Sequence, residues 1–104
     1  MLIIDPSKPV FRGNTHVHTK HSDGRRTFDE CLDVYAALGH DFLVVSDHWH
    51  MSPETKRGNM LVMRGIEYDF DVPHQALHIV GVLPADADPG VVRGDDYMHA
   101  IARI

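Results

Sequence analysis

The chain alternates short apolar runs with polar segments. Three runs, at residues 42–45, 61–66 and 77–83, are rich in Val, Ile and Leu, and a shorter apolar segment surrounds Val17. Short apolar runs separated by turns or helices are typical of buried parallel strands. The pattern therefore predicts an α/β fold with parallel strands and interleaved helices, and a chain of 104 residues can supply about four such strands.

Two segments carry helix signals. Thr27 and Glu30 form a Thr-x-x-Glu capping box, and the apolar face that follows ends near Gly39. A second amphipathic segment follows the acidic pair at 95–96. Cys31 is the only cysteine and lies in the first helix, so no intramolecular disulfide can form and its thiol is expected in the core.

A metal-ligand pattern lies where the first strand gives way to a turn. His16 and His18 are two residues apart, and Asp23 follows five residues later. Because side chains at i and i+2 of a strand point to the same face, both imidazoles could meet one cation. An added carboxylate makes such a site more tolerant of Mn²⁺ or Fe²⁺ beside Zn²⁺. Two exposed histidines on an edge strand would give the same pattern.

The later strands also carry candidate ligands at their ends. Asp47 and His48 follow the second apolar run, Glu67 follows the third, and His78 lies at the start of the fourth. In barrels of parallel strands, the chemistry collects at the carboxyl ends of the strands. The successive strand ends therefore predict one shared site.

Four motifs occur in order over residues 13 to 83: Asn-Thr-His-x-His-Thr-x-x-Ser-Asp-Gly, Gly-x-Asp-Phe-Leu-Val-Val-Ser-Asp-His, Gly-Ile-Glu and His-Ile-Val-Gly. They resemble the first four motifs of the PHP (polymerase and histidinol phosphatase) domain family, and most of all its stand-alone metal-dependent phosphoesterases. The resemblance implies the N-terminal half of a distorted (β/α)7 barrel. It also implies hydrolysis of a phosphate ester by a metal-activated water, with two or three divalent ions (Zn, Mn or Fe) in the complete domain.

Carried over residue by residue, the resemblance implies six metal ligands. These are His16, His18, Asp23, His48, Glu67 and His78. As a carboxylate with two oxygens, Glu67 could bridge two cations about 3.5–4 Å apart. No protein nucleophile is then needed.

Other polar residues near these motifs receive supporting roles. Asp47 is expected outside the ligand set, either orienting His48 or capping a helix. His21, Arg25 and His50 are candidate substrate contacts, with surface positions as the alternative. The acidic residues at 69 and 71 are expected in a solvated loop, and residues 52–59 are expected to form a polar loop between strands.

The family pattern continues beyond residue 83 with a further His or Cys and an Asp-x-His pair. This chain has no such pair, and His99 is not expected to replace the further ligand because it lies off the apolar face of the second helical segment. Residues 1–104 are therefore expected to be the N-terminal half of a PHP domain, truncated at its C-terminus. Open sheet edges would favour pairing with the missing half or formation of a homo-oligomer. Two functional alternatives are an amidohydrolase-type hydrolase of a carbon–nitrogen bond and a non-catalytic metal-binding or assembly fragment.

The net charge and the lengths of the apolar runs limit the expected partners and location. The 104 residues carry a formal net charge of −5, which argues against a nucleic-acid groove. The resemblance implies a small phosphorylated substrate as the partner. No run of about 18 apolar residues is present to span a membrane, and the apolar segment at residues 1–4 is too short for a signal-peptide core. A cytoplasmic location is the default expectation.

Overall fold

The computed structural model describes residues 5–103. The N-terminal apolar segment at 1–4 and residue 104 lie outside this range. The elements are β1 (Gly13–Val17), α1 (Phe28–Ala37), β2 (Phe42–Val45), β3 (Thr55–Arg57), β4 (Met60–Val72), β5 (Gln75–Leu83) and α2 (Tyr97–Arg103). Neither helix is long and apolar enough to cross a bilayer within the described residues.

The five strands form one mixed sheet around β4. β1 pairs in parallel with β2, and β2 pairs in parallel with β4. β3 pairs antiparallel with residues 60–62 of β4, and β5 pairs antiparallel with residues 64–72. Leu61, Val62 and Arg64 each have one partner in β2 and another in β3 or β5. β3 and β5 therefore share the edge of β4 that β2 does not use.

The predicted succession of strands with interleaved helices is wrong. Within residues 5–103, only α1 joins two parallel strands. Along the chain, β3 lies between β2 and β4, where residues 52–59 were expected to form a polar loop, and β4 and β5 form an antiparallel hairpin. The apolar run at 61–66 is only part of a 13-residue strand. The chain then reverses at Pro73–His74, so that Val72 pairs with Gln75. The fold is a small mixed α/β unit, not the front of a (β/α)7 barrel.

The predicted first helix is confirmed. The Thr27 side chain accepts a hydrogen bond from the Glu30 N–H, and the Glu30 carboxylate accepts one from the Thr27 N–H, so the capping box is complete. Gly39 adopts φ 76° just after the helix, a conformation that glycine tolerates best. Cys31 is buried against the sheet, as expected for a core thiol.

The buried apolar side chains form two clusters. The first cluster packs α1 against the sheet and contains Val17, Cys31, Leu32, Leu43, Val45, Met60 and Val62. The second cluster lies along the hairpin and α2 and contains Ile66, Tyr68, Phe70, Leu83 and Ala100. Glu67 is on β4 between Ile66 and Tyr68, both of which belong to the second cluster.

Candidate metal centre

The first pair of candidate ligands comes from the end of β1. Val17 is buried in the first core cluster, and the neighbouring side chains of His16 and His18 therefore point away from α1. The Asn14 side chain accepts a hydrogen bond from the His16 N–H at 2.9 Å, where the pairing of β1 with β2 is irregular. The two imidazoles converge, with 3.0 Å between their Nε2 atoms.

His48 is held beside β4 by the backbone. The Glu67 N–H donates to the Asp47 carbonyl at 3.1 Å, and the Trp49 N–H donates to the Glu67 carbonyl at 3.0 Å. These two bonds flank His48 and place it opposite Glu67 as an isolated parallel bridge. Trp49 then adopts φ 54°, and the chain leaves the sheet.

The hairpin supplies the remaining ligands from within its strands. In the β4–β5 register, Glu67 lies opposite Val80 and Asp69 lies opposite His78. His78 therefore reaches Glu67 diagonally, with its Nδ1 2.8 Å from Glu67 Oε1.

The Glu67 carboxylate, which is fully buried, is the centre of the cluster. Its Oε2 lies 2.9 Å from His16 Nε2, 2.6 Å from His18 Nε2 and 3.6 Å from His48 Nε2. His18 Nδ1 lies 2.5 Å from Asp23 Oδ1. All six predicted ligands thus form one contiguous group. They make three overlapping sets whose donor atoms lie within 4.8 Å of one another: His16, His18 and Glu67; His18, Asp23 and His48; and His48, Glu67 and His78.

The spacing of the donor atoms suits a cation. An imidazole nitrogen and a carboxylate oxygen 2.6 Å apart repel each other when both present lone pairs, so a proton or a cation must lie between them. His16 Nε2 is within 3.0 Å of both of these atoms. A metal ion with bonds of about 2.0–2.2 Å to nitrogen and oxygen would satisfy all three with little movement. The residues present therefore fit a divalent ion.

Charge in the cluster favours ionised carboxylates. Burial alone would raise the pKa of Glu67, but hydrogen bonding and charge from His16, His78 and His48 hold it below its ordinary value. The hydrogen bond with His18 lowers the pKa of Asp23. Burial would lower the pKa of His18, yet Asp23 and Glu67 outweigh burial and raise it. These shifts favour the charged forms of Glu67, Asp23 and His18. A cation could replace the proton on an imidazole that faces these carboxylates.

Asp47 lies outside the three ligand sets, and its side chain bonds to the turn between His18 and Asp23. It is buried and accepts hydrogen bonds from the Thr19 N–H (2.6 Å), the Thr19 hydroxyl (2.7 Å) and the Ser22 hydroxyl (2.6 Å). Burial would raise the pKa of Asp47, but these bonds lower it. Its side chain therefore anchors the turn between His18 and Asp23.

The three candidate substrate contacts lie beside segments that carry ligands. The rings of His21 and His50 stack with 4.3 Å between centroids and 17° between planes. The His21 N–H donates to the Thr19 hydroxyl, and the His50 N–H donates to the Asp47 carbonyl. Arg25 lines a cleft of about 380 Å³ that also contacts His16 and His18.

Asp69 was not identified as a site residue from the sequence. It was expected in a solvated loop but belongs to β4, and its Oδ1 lies 3.3 Å from His48 Nδ1. Glu67 and Asp69 have the same i, i+2 spacing as His16 and His18. That spacing would have identified Asp69 if β4 had been extended past Glu67.

No protein-family model matches the chain, and no curated protein matches it.

Proposed function

We propose that this chain is a metal-dependent phosphoesterase that binds at least two divalent transition-metal ions. The observation that carries the proposal is the position of Glu67 between two sets of imidazoles. Its Oε2 faces His16 and His18, and its Oε1 faces His78. A carboxylate shared in this way is suited to two ions about 3.5–4 Å apart, the separation used in two-metal hydrolysis. The nitrogen-rich set with carboxylates fits Zn²⁺, Mn²⁺ or Fe²⁺.

The surroundings of the cluster support hydrolysis. Bound divalent ions supply an activated water and neutralise charge on phosphoryl oxygens. Glu67 is buried and keeps its carboxylate fixed, whereas the side chains of His16 and His78 are 48% and 47% exposed and leave the cluster open to a substrate. His21, His50 and Arg25 could donate hydrogen bonds to an anionic substrate from nearby loops. The resemblance of the motifs to PHP phosphoesterases favours a phosphate ester over a carbon–nitrogen bond.

The test combines metal titration with substrate comparison. Metal-stripped protein is titrated with Mn²⁺, Zn²⁺ and Fe²⁺ by calorimetry, and the loaded protein is assayed on p-nitrophenyl phosphate, bis(p-nitrophenyl) phosphate and a p-nitroanilide. We expect more than one ion per chain and cleavage of a phosphate ester. Cleavage of the anilide alone would indicate a carbon–nitrogen hydrolase, and metal binding without turnover would indicate a non-catalytic metal protein.

Glu67→Gln tests the site itself. The amide keeps the volume but cannot act as an anionic bridge, so we expect metal affinity to fall at least about 100-fold, beyond the range typical of residues outside the ligand set. Glu54→Gln, at an exposed loop position, is the matched control and should leave affinity unchanged. Equal metal affinity in Glu67→Gln and wild type would refute the centre.

A further inference from the structure

We infer that Asp69 is a positioning residue for His48: its carboxylate accepts a hydrogen bond from His48 Nδ1–H and so directs Nε2 toward the metal centre. The inference rests on the proposed metal centre. It assigns to Asp69 a role in that centre beyond the six ligands.

The two ring nitrogens of His48 face different carboxylates. Nε2 lies 3.6 Å from Glu67 Oε2 and 3.7 Å from Asp23 Oδ2, inside the ligand cluster. Nδ1 lies 3.3 Å from Asp69 Oδ1, outside it. A ligating histidine usually donates its second N–H to a carboxylate or carbonyl in this way.

Burial strengthens the assignment. His48 Nδ1 and Asp69 Oδ1 are both hidden from solvent, and neither has an aligned hydrogen-bond partner among residues 5–103. Leaving a buried polar atom without a partner is unfavourable. The two atoms are 3.3 Å apart, so a small rotation of either side chain would align them. Hydrogen bonds in functional sites often shorten when the site is occupied. Each atom is therefore the natural partner of the other.

The fold fixes both side chains. Asp69 is within β4, two residues after Glu67, so the two carboxylates share one face of the strand. The backbone bonds on either side of His48 fix its Cα beside the same strand. The rings of His18 and His78 pack edge-on against the His48 ring at centroid distances of 4.6 and 5.4 Å. These neighbours limit rotation of the His48 ring, so Nδ1 stays on the side of Asp69 and Nε2 stays on the side of Glu67.

The hydrogen bond decides the tautomer. With the proton on Nδ1, His48 Nε2 presents a lone pair that can bind a cation. Without Asp69, the nearest acceptors are Glu67 and Asp23 on the Nε2 side. They would draw the proton to Nε2 and make His48 a donor to the cluster instead of a ligand.

The experiment measures the tautomer directly. In metal-free protein labelled with ¹⁵N-histidine, long-range ¹H–¹⁵N spectra are recorded about two pH units above the ordinary imidazole pKa, so that neutral rings are observed. Wild type should show His48 protonated at Nδ1. Asp69→Ala should move the proton to Nε2, and Asp69→Asn, which keeps an acceptor oxygen, should largely retain the Nδ1 form. Asp71→Ala, at an exposed position further along β4, is the matched control.

Metal titration gives the second readout. Asp69→Ala should weaken metal binding about 10- to 100-fold, with partial recovery in Asp69→Asn. Should Asp69→Ala not fold, Asp69→Val supplies the same test with a residue suited to a strand. An unchanged His48 tautomer in the folded variant would overturn the inference. A changed tautomer in a protein that binds no metal at all would uphold the Asp69–His48 contact and refute the proposed function.

Discussion

The parallel part of the sheet (β1 and β2) and the β4–β5 hairpin bring ligands to the same centre in different ways. On the parallel side, His16 lies within β1, but His18, Asp23 and His48 all follow the last residue of a strand. On the hairpin side, Glu67 and His78 lie within strands, and the register fixes their relative positions. Ligands within paired strands need no further support, whereas ligands beyond strand ends must be held by other contacts.

Asp47 provides those contacts on the parallel side. Its side chain accepts three hydrogen bonds from Thr19 and Ser22, and its carbonyl accepts one from the Glu67 N–H. One residue therefore links the turn that carries Asp23 to the strand that carries Glu67. The loops around the centre depend on this buried carboxylate, just as the hairpin depends on the backbone hydrogen bonds between β4 and β5.

The largest expected effect comes from removing that carboxylate. Asp47→Ala leaves the Thr19 N–H and two hydroxyls without their acceptor, and hydrogen bonds to a charged group contribute about 1.5–3 kcal/mol each without adding fully. We expect the free energy of unfolding of the metal-free protein to fall by about 3 kcal/mol, measured by urea denaturation.

Asp41→Ala is the matched control for this substitution. Asp41 also accepts a backbone hydrogen bond, from the Arg12 N–H, but it is exposed. We expect the control to lose less than about 1 kcal/mol. Equal losses in the two variants would mean that the loops do not depend on Asp47.

The hairpin can be weakened at one residue of its ladder. The backbone groups of Glu67 bond to Asp47 and Trp49 on the β2 side, so its partner Val80 makes no ladder bond to it. In the next pair, Tyr68 and Ile79, the backbone N–H and C=O groups point toward the partner strand and form the hydrogen bonds between β4 and β5. Ile79→Pro removes one of these donors, and we expect a loss of about 2 kcal/mol in urea denaturation.

Val80→Pro serves as the control because its missing N–H would point away from β4. It should cost clearly less than Ile79→Pro and should leave more of the metal affinity intact. If Val80→Pro were the more damaging variant, the alternation of ladder bonds deduced from the Glu67 contacts would be wrong.

The same contrast explains what the sequence could predict. Local signals were sufficient for α1, because its capping box and following glycine lie within a few residues of each other. The six candidate ligands were also found locally, as polar residues at the ends of apolar runs. Their convergence needed only that neighbouring strands pair.

The hairpin was not predicted because the second half of β4 was interpreted as a loop. In the segment from Tyr68 to Val72, apolar residues alternate with Asp69 and Asp71, which is the period of a half-buried strand. The two aspartates and Pro73 made the segment resemble a turn. The barrel expectation came from the resemblance of the motifs, and ending the third strand at Glu67 concealed the antiparallel pairing of residues 64–72 that contradicts it.

The contacts of Asp47 and Asp69 could not be predicted from local pattern. Asp47 meets Thr19 across 28 positions of the chain, and Asp69 meets His48 across 21 positions. Both contacts depend on how the loops fold over the strand ends. The sequence identifies the residue types in such contacts but not the pairs.

The smallest expected effect is the pH dependence of the metal-free protein, to which residues on both sides contribute. The pKa values of Asp47 and Glu67 are lowered in the folded state, so their stabilisation is present above their ordinary values and is lost as pH falls through the folded pKa values. The pKa of His18 is raised, so its stabilisation is complete below its ordinary value and is lost as pH rises through the folded pKa. Thermal unfolding in EDTA should therefore show its highest Tm between the ordinary pKa values of Glu67 and His18, 4.5 and 6.5, with a decline of a few degrees on either side.

His18→Gln should remove much of the alkaline decline, whereas His99→Gln, at an exposed position in α2, should retain it. An alkaline decline that survives His18→Gln in full would show that the His18 contacts with Asp23 and Glu67 do not stabilise the folded chain.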